Sequence, residues 1–161
     1  MYAADQAAEH PDELALIMAP SGRVVTWAEY EAGANQVAHL LRATGLRKGD
    51  HMAIFMENHP AVLLAEAGAE RTGLYFTPVN SYLAAEEVAY VINDSRSRVV
   101  ITSTAKAEVA AQLPALCTDV DRFIMVDTTD AGAVVDGYES WADTVDAQPT
   151  DHVPDEQMGA P

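Results

Sequence analysis

Three polar residues stand where a short apolar run gives way to a turn: Asn58 after residues 51–56, Asn80 after residues 74–79 and Ser103 after residues 98–102. Ligands of open α/β sheets gather beyond the carboxyl ends of the strands, which makes Asn58 and Asn80 the candidate substrate contacts, with Ser103 beside them. Their amides would bind and orient a substrate rather than attack it. Asparagine after a strand is also the ordinary turn or cap residue, because its amide satisfies nearby backbone groups.

Other chemistries fail on spacing. No G-x-G-x-x-G or Walker pattern occurs, and Thr102-Ser103-Thr104-Ala105-Lys106 has no glycine to let its amides converge on phosphate, so it reads as a strand end and helix cap. Asp127-Thr128-Thr129-Asp130-Ala131-Gly132 opens like a calcium loop, but the twelfth position is Tyr138 where a bidentate glutamate is required; it reads as a polar turn. The five histidines neither adopt H-E-x-x-H spacing nor cluster with cysteine, so no zinc site is expected, and His51 and His59 are placed at the ends of a strand. The single cysteine, Cys117, has no internal disulfide partner and no activating base, which predicts a buried, inert thiol. No G-x-S-x-G elbow presents a serine nucleophile, and no catalytic or metal-ligating residue is assigned.

The elements that would carry the asparagines follow from periodicity. Residues 14–18 and Val24-Val25 flank the Pro20-Ser21-Gly22 turn and predict a hairpin. Thr26-Trp27-Ala28-Glu29 is a capping-box pattern that starts a helix, whose apolar face runs through Tyr30, Ala34, Val37 and Leu41 until Gly45. A strand is expected over 51–56, then Asn58 as a capping amide and Pro60 in the first turn of a helix that Gly73 ends. Strands over 74–79, 98–102 and 122–126 alternate with helices over 85–93 and 105–116. That alternation predicts a doubly wound α/β fold, a parallel sheet with helices on both faces. Beyond Val126 come a short Val134-Val135 run, a helical turn around 138–144 and an Asp- and Pro-rich tail. Residues 1–145 are read as one α/β subdomain and 146–161 as an acidic, Pro-containing linker.

Composition narrows the partners. Nine Lys plus Arg against twenty-five Asp plus Glu give a formal charge of −16, which opposes nucleic acid and anionic membrane surfaces. The N-terminus has no basic and apolar leader, and no apolar run approaches the roughly 20 residues that span a bilayer. The expectation is a cytoplasmic protein, meeting membranes peripherally at most.

Residues 71–95, RTGLYFTPVNSYLAAEEVAYVINDS, resemble the second conserved block of adenylate-forming enzymes, and within them of the fatty acyl-CoA synthetases. The rest of the chain is similar to that family in the family's order. His10-Pro11-Asp12 resembles its opening, and Val25-Thr26-Trp27-Ala28-Glu29-Tyr30 its first block. Gly45-Leu46-Arg47-Lys48-Gly49-Asp50-His51-Met52-Ala53-Ile54 matches Gly-Val-x-x-Gly-Asp-x-Val-Ala-Ile, and Glu57-Asn58-His59-Pro60 resembles the Asn-containing turn. Residues 155–161 resemble the run-in to a Ser/Thr/Gly-rich phosphate loop that ends in Pro-Lys-Gly. Ala84 departs from the pattern, standing where Thr or Ser usually caps the helix that leads to Glu87, a loss of about 1 kcal/mol.

The resemblance implies a reaction that uses ATP and Mg²⁺ to turn a fatty acid into an acyl-adenylate and coenzyme A to displace AMP. It also implies that the phosphate loop, the nucleotide contacts and the catalytic lysine follow residue 161. This chain is then the N-terminal scaffold of the AMP-binding domain, inactive by itself and holding no cofactor tightly, with apolar surface that invites self-association. The alternative is a non-catalytic α/β binding or assembly module that pairs with another chain. A phosphorylatable receiver domain is excluded, since Met56-Glu57-Asn58 lacks paired acids and Thr102-Ser103-Thr104 lacks the required aspartate.

Overall fold

The computed structural model describes residues 3–19, 21–129 and 134–157. Strands β1 (Leu14–Ile17) and β2 (Val24–Thr26) pair antiparallel as the expected hairpin. The main sheet has five parallel strands in the order β4-β3-β5-β6-β7, where β3 is His51–Phe55, β4 Tyr75–Pro78, β5 Ser97–Ser103, β6 Arg122–Val126 and β7 Glu139–Ser140. The first four are the predicted strands, shifted by a residue or so at their ends. Crossover helices force the parallel pairing, because a hairpin turn cannot return the chain to the same edge.

Alternation along the strands divides the core in two. Met52, Ile54, Val99, Ile101, Ile124 and Val126 face α2 (Trp27–Ala43), α3 (Pro60–Thr72) and α7 (Trp141–Thr144). Ala53, Phe55, Val100 and Phe123 face Val88 and Ile92 of α4 (Ala85–Asp94) and Leu113 of α6 (Leu113–Leu116). The chain moves outward from β3 to β4, then back across β3 to β5 with its helix on the opposite face. The direction of winding therefore reverses between β3 and β5.

Local chemistry explains the helix ends. Thr26 Oγ1 accepts from the Glu29 amide at 3.3 Å while Glu29 Oε2 accepts from the Thr26 amide at 2.9 Å, a complete capping box for α2. In α4, Glu87 Oε2 accepts from the Ala84 amide at 2.9 Å, but Ala84 has no oxygen to return the bond, so half of the box is present. Gly73 ends α3 with φ of 71°, the left-handed conformation a glycine adopts without strain. The α2–α3 crossing is close: a Cβ on Gly68 would lie 2.5 Å from Val37 Cγ1.

Two expectations are corrected, and two elements are added. The cap of α3 is His59, whose Nδ1 accepts from the Ala61 amide at 3.2 Å, in place of the Asn58 amide. The helix expected over 105–116 is divided into a 3₁₀ turn (Thr104–Lys106), α5 (Ala107–Ala110) and α6. Pro114 has no amide proton for the Ala110 carbonyl and its ring crowds that group. The Tyr138 hydroxyl takes the carbonyl instead, at 3.0 Å. Val134-Val135 forms no strand; Gly137 turns the chain at φ of 87° and β7 follows, held to β6 by a two-point pair of Arg122 with Glu139 at 2.7 and 2.6 Å. The N-terminal Ala-rich stretch forms α1 (Ala3–Glu9), packed on α2.

The acidic segment after α7 has no helix or strand up to residue 157, as its composition predicts, but it is not loose. Side chains along one face of α2 bind its backbone: Gln36 Nε2 donates to the Asp146 carbonyl at 2.8 Å, Asn35 Nδ2 to Thr150 at 3.0 Å and His39 Nε2 to Asp151 at 2.9 Å. Val153 is buried, and the Gln157 amide donates to the Arg71 carbonyl at 2.8 Å. Specific hydrogen bonds do here what apolar area could not.

Candidate functional site

The carboxyl edge of the sheet brings together residues from three segments. Where β3 and β5 diverge, Ser103 Oγ donates to Glu57 Oε2 at 2.6 Å, and Thr102 Oγ1 donates to the Phe55 carbonyl at 2.6 Å. Thr104 Oγ1 donates to Asp127 Oδ1 at 3.2 Å and accepts from the Thr128 amide at 2.9 Å. Asp127 Oδ1 also accepts from the Thr129 amide at 3.1 Å, the turn geometry expected for the start of that loop; Asp130, Ala131 and Gly132 lie outside the described residues. Burial pushes the Glu57 carboxyl up, but the Ser103 hydroxyl and neighbouring donors more than offset it and hold it below the usual carboxylate range. Glu57 is thus a fixed negative charge near neutral pH and a poor proton acceptor.

Beside this network lies a cleft of 260 Å³ over the end of β6, between the amino end of α3 and α7. Leu64, Val126 and Trp141 give it apolar walls, and Arg23, His59, Asp127 and Asp146 its polar groups. Arg23 Nη1 lies 3.2 Å from His59 Nε2. Burial, then the charge of Arg23, pushes the imidazole below its ordinary range, so it is neutral near pH 7. Asp146 accepts from Trp141 Nε1 at 2.8 Å, and burial raises its carboxyl.

Asn58 and Asn80 follow the neighbouring strands β3 and β4 and are both exposed, yet neither lines the cleft. Asn80 Oδ1 accepts from the Tyr82 amide at 3.0 Å, a turn-forming bond. Sequence reasoning passed over Glu57, His59 and Arg23. An acid directly after the first parallel strand, with serine after its neighbour, was the available signal for Glu57; nothing local announces that Arg23, from the hairpin, meets His59.

The described residues of this edge form no cradle of amides for a triphosphate. Among them the amides of Thr128 and Thr129 are engaged by Thr104 and Asp127, and Glu57 and Asp127 place carboxylates at the edge. Among the described residues no group of three or more His, Cys, Asp or Glu could hold a metal ion, and no helix is long and apolar enough to cross a membrane. Cys117 is buried, and burial pushes its thiol up, away from thiolate chemistry.

Comparison with known proteins places this geometry in context. A family model described as AMP-binding enzyme matches residues 3–158. A long-chain-fatty-acid–CoA ligase, FadD13 of Mycobacterium tuberculosis, is 39% identical over 85 residues, covering 53% of this chain and 17% of that protein. A crotonobetaine/carnitine–CoA ligase of Escherichia coli is 31% identical over 128 residues, covering 72% of this chain and 25% of the relative. The chain therefore spans a quarter or less of the length of these curated relatives. The solved Mycobacterium tuberculosis fatty acyl CoA synthetase superposes with a TM-score of 0.80 at 27% identity, over 98% of this chain and 30% of that one.

Proposed function

This chain belongs to the AMP-binding enzyme family, and we propose on that premise that it is the N-terminal scaffold of an ATP-dependent fatty acid–CoA ligase. In that reaction a fatty carboxylate attacks the α-phosphate of ATP and pyrophosphate leaves; the thiol of coenzyme A then attacks the acyl carbon and AMP leaves. The observation that carries the reading is the family match across 3–158, and the 39% identity to a long-chain-fatty-acid ligase favours a fatty acid as the carboxylate. Mg²⁺ would accompany ATP, bound to phosphates rather than to this stretch.

The contribution of these residues is architectural. Residues 1–145 would be the subdomain whose parallel sheet presents a polar carboxyl edge, and 146–161 the linker after it, whose described part runs along α2. Asn58 and Asn80 would meet substrate only from the rim, since both are exposed and outside the cleft. The protein would act in the cytoplasm and meet lipid peripherally. Leu14, Ile17 and Val24, exposed on the hairpin, supply apolar surface for self-association, which salt should strengthen by screening the −16 charge.

The purified 161-residue chain is expected to release no pyrophosphate from ATP with fatty acids of any length, because the edge amides of Thr128 and Thr129 are engaged by Thr104 and Asp127. Reproducible fatty-acid-dependent release, lost on heat denaturation and unaltered by further purification, would overturn the scaffold assignment.

A further inference from the structure

We propose that the cleft between the amino end of α3 and α7 binds a small oxyanion, carboxylate or phosphoryl, between the Arg23 guanidinium and His59 Nε2. The inference stands on hydrogen-bond stoichiometry and does not depend on the ligase reading. A neutral imidazole has one acceptor nitrogen and one donor. Here both nitrogens face donors: Nδ1 faces the Ala61 amide at 3.2 Å and Nε2 faces Arg23 Nη1 at 3.2 Å. The backbone amide has no alternative partner in the helix, because the first N–H groups of an α-helix lie beyond its own carbonyls. Nδ1 is therefore the acceptor, Nε2 carries the proton, and that N–H points at a guanidinium with no acceptor between them.

Protonating the ring does not relieve this, since it would add a second cation beside Arg23 and remove the cap. The helix adds to the imbalance: α3 spans 13 residues, and its amino end is the positive pole of the macrodipole. Two donors and a helix pole of one sign are completed by an anion oxygen that accepts from Nε2–H and from the guanidinium together. The cleft gives that anion room, and Leu64, Val126 and Trp141 suit a ligand with a short apolar body. Asp127 and Asp146 also line the cleft, but each has an oxygen committed, to Thr104 and Thr129 or to Trp141. Their charge, with the −16 of the whole chain, confines anion binding to the Arg23 side.

The test is a titration of the chain with butyrate and, separately, inorganic phosphate, following the His59 ring nitrogens and the Ala61 amide by NMR, with sodium chloride at matched ionic strength as reference. Saturable shifts confined to Arg23, His59, the first turn of α3 and α7 are expected from at least one of the two anions. The tighter of them identifies the source as carboxylate or phosphoryl. Arg23→Gln, a change at an exposed side chain, should weaken binding tenfold or more. His59→Asn, which keeps a capping amide for α3 but removes Nε2–H, should weaken it as well. Shifts no larger than those from chloride, or undiminished affinity in Arg23→Gln, would overturn the proposal.

Discussion

Arg71 lies in the last turn of α3 and Arg23 against its first. Arg71 stands where the helix dipole favours a cation, its side chain is 8% exposed, and both carboxylate oxygens of Glu31 and the amide oxygen of Asn35 accept from it. Asn35 in turn donates to the Thr150 carbonyl, and the Arg71 carbonyl accepts from Gln157, so the cluster joins α2, α3 and the acidic segment. Arg23 is exposed, stands at the positive pole and faces a second donor, His59. The two ends show how satisfaction sorts polar groups by role. A guanidinium that meets carboxylate and amide acceptors holds the fold; one that faces a surplus donor is completed by a ligand.

The largest effect should come from breaking the satisfied end. Arg71→Met leaves Glu31 as an uncompensated, largely buried charge and should cost about 3–5 kcal/mol, read from the urea midpoint; an unchanged midpoint would show that the seam does not depend on the pair. Next is Gly68→Ala at the same seam, where the added carbon meets Val37 Cγ1 at 2.5 Å and should cost about 1–3 kcal/mol as the helices part. If Gly68→Ala leaves thermal unfolding unmoved, the helices do not cross as closely as described.

Acid offers a third, graded probe. Burial pushes the Glu31 carboxyl up, but its bonds and charge interaction with Arg71 outweigh that and hold it below the ordinary 4.5. A carboxylate depressed in the folded state stabilises fully above its unfolded value and loses that contribution as pH falls through the folded one. Stability should therefore drop below about pH 4.5, and Glu31→Gln should flatten the drop; an identical acid profile in Glu31→Gln would separate acid lability from this pair. The smallest effect is a gain. Ala84→Ser would complete the half-formed capping box of α4 and should add about 1 kcal/mol, visible as a raised denaturation midpoint.

Most of the fold was legible because it rests on local patterns. The short apolar strand runs, the Thr26–Glu29 box and Gly73 each announce an element within a few residues. What escaped depends on distance in the chain. The helix over 105–116 was expected unbroken although Pro114 stands in it, and the Tyr138 hydroxyl that takes the freed Ala110 carbonyl comes from a later loop. The acidic segment reads as a linker because its composition lacks apolar residues, yet its anchors are side chains of α2 more than 100 residues earlier. The candidate site escaped in the same way: Asn58 and Asn80 were found by their place after strands, whereas Arg23 and His59 meet only through tertiary packing of the hairpin on α3.

The contrast between the ends of α3 is tested most directly by the protonation of one ring. Long-range nitrogen NMR of His59 in the anion-free chain near neutral pH should show a neutral imidazole with the proton on Nε2 and Nδ1 accepting from the Ala61 amide. A proton on Nδ1, with Nε2 accepting from Arg23, would mean that the amino end has no surplus donor facing the cleft, and would contradict the account.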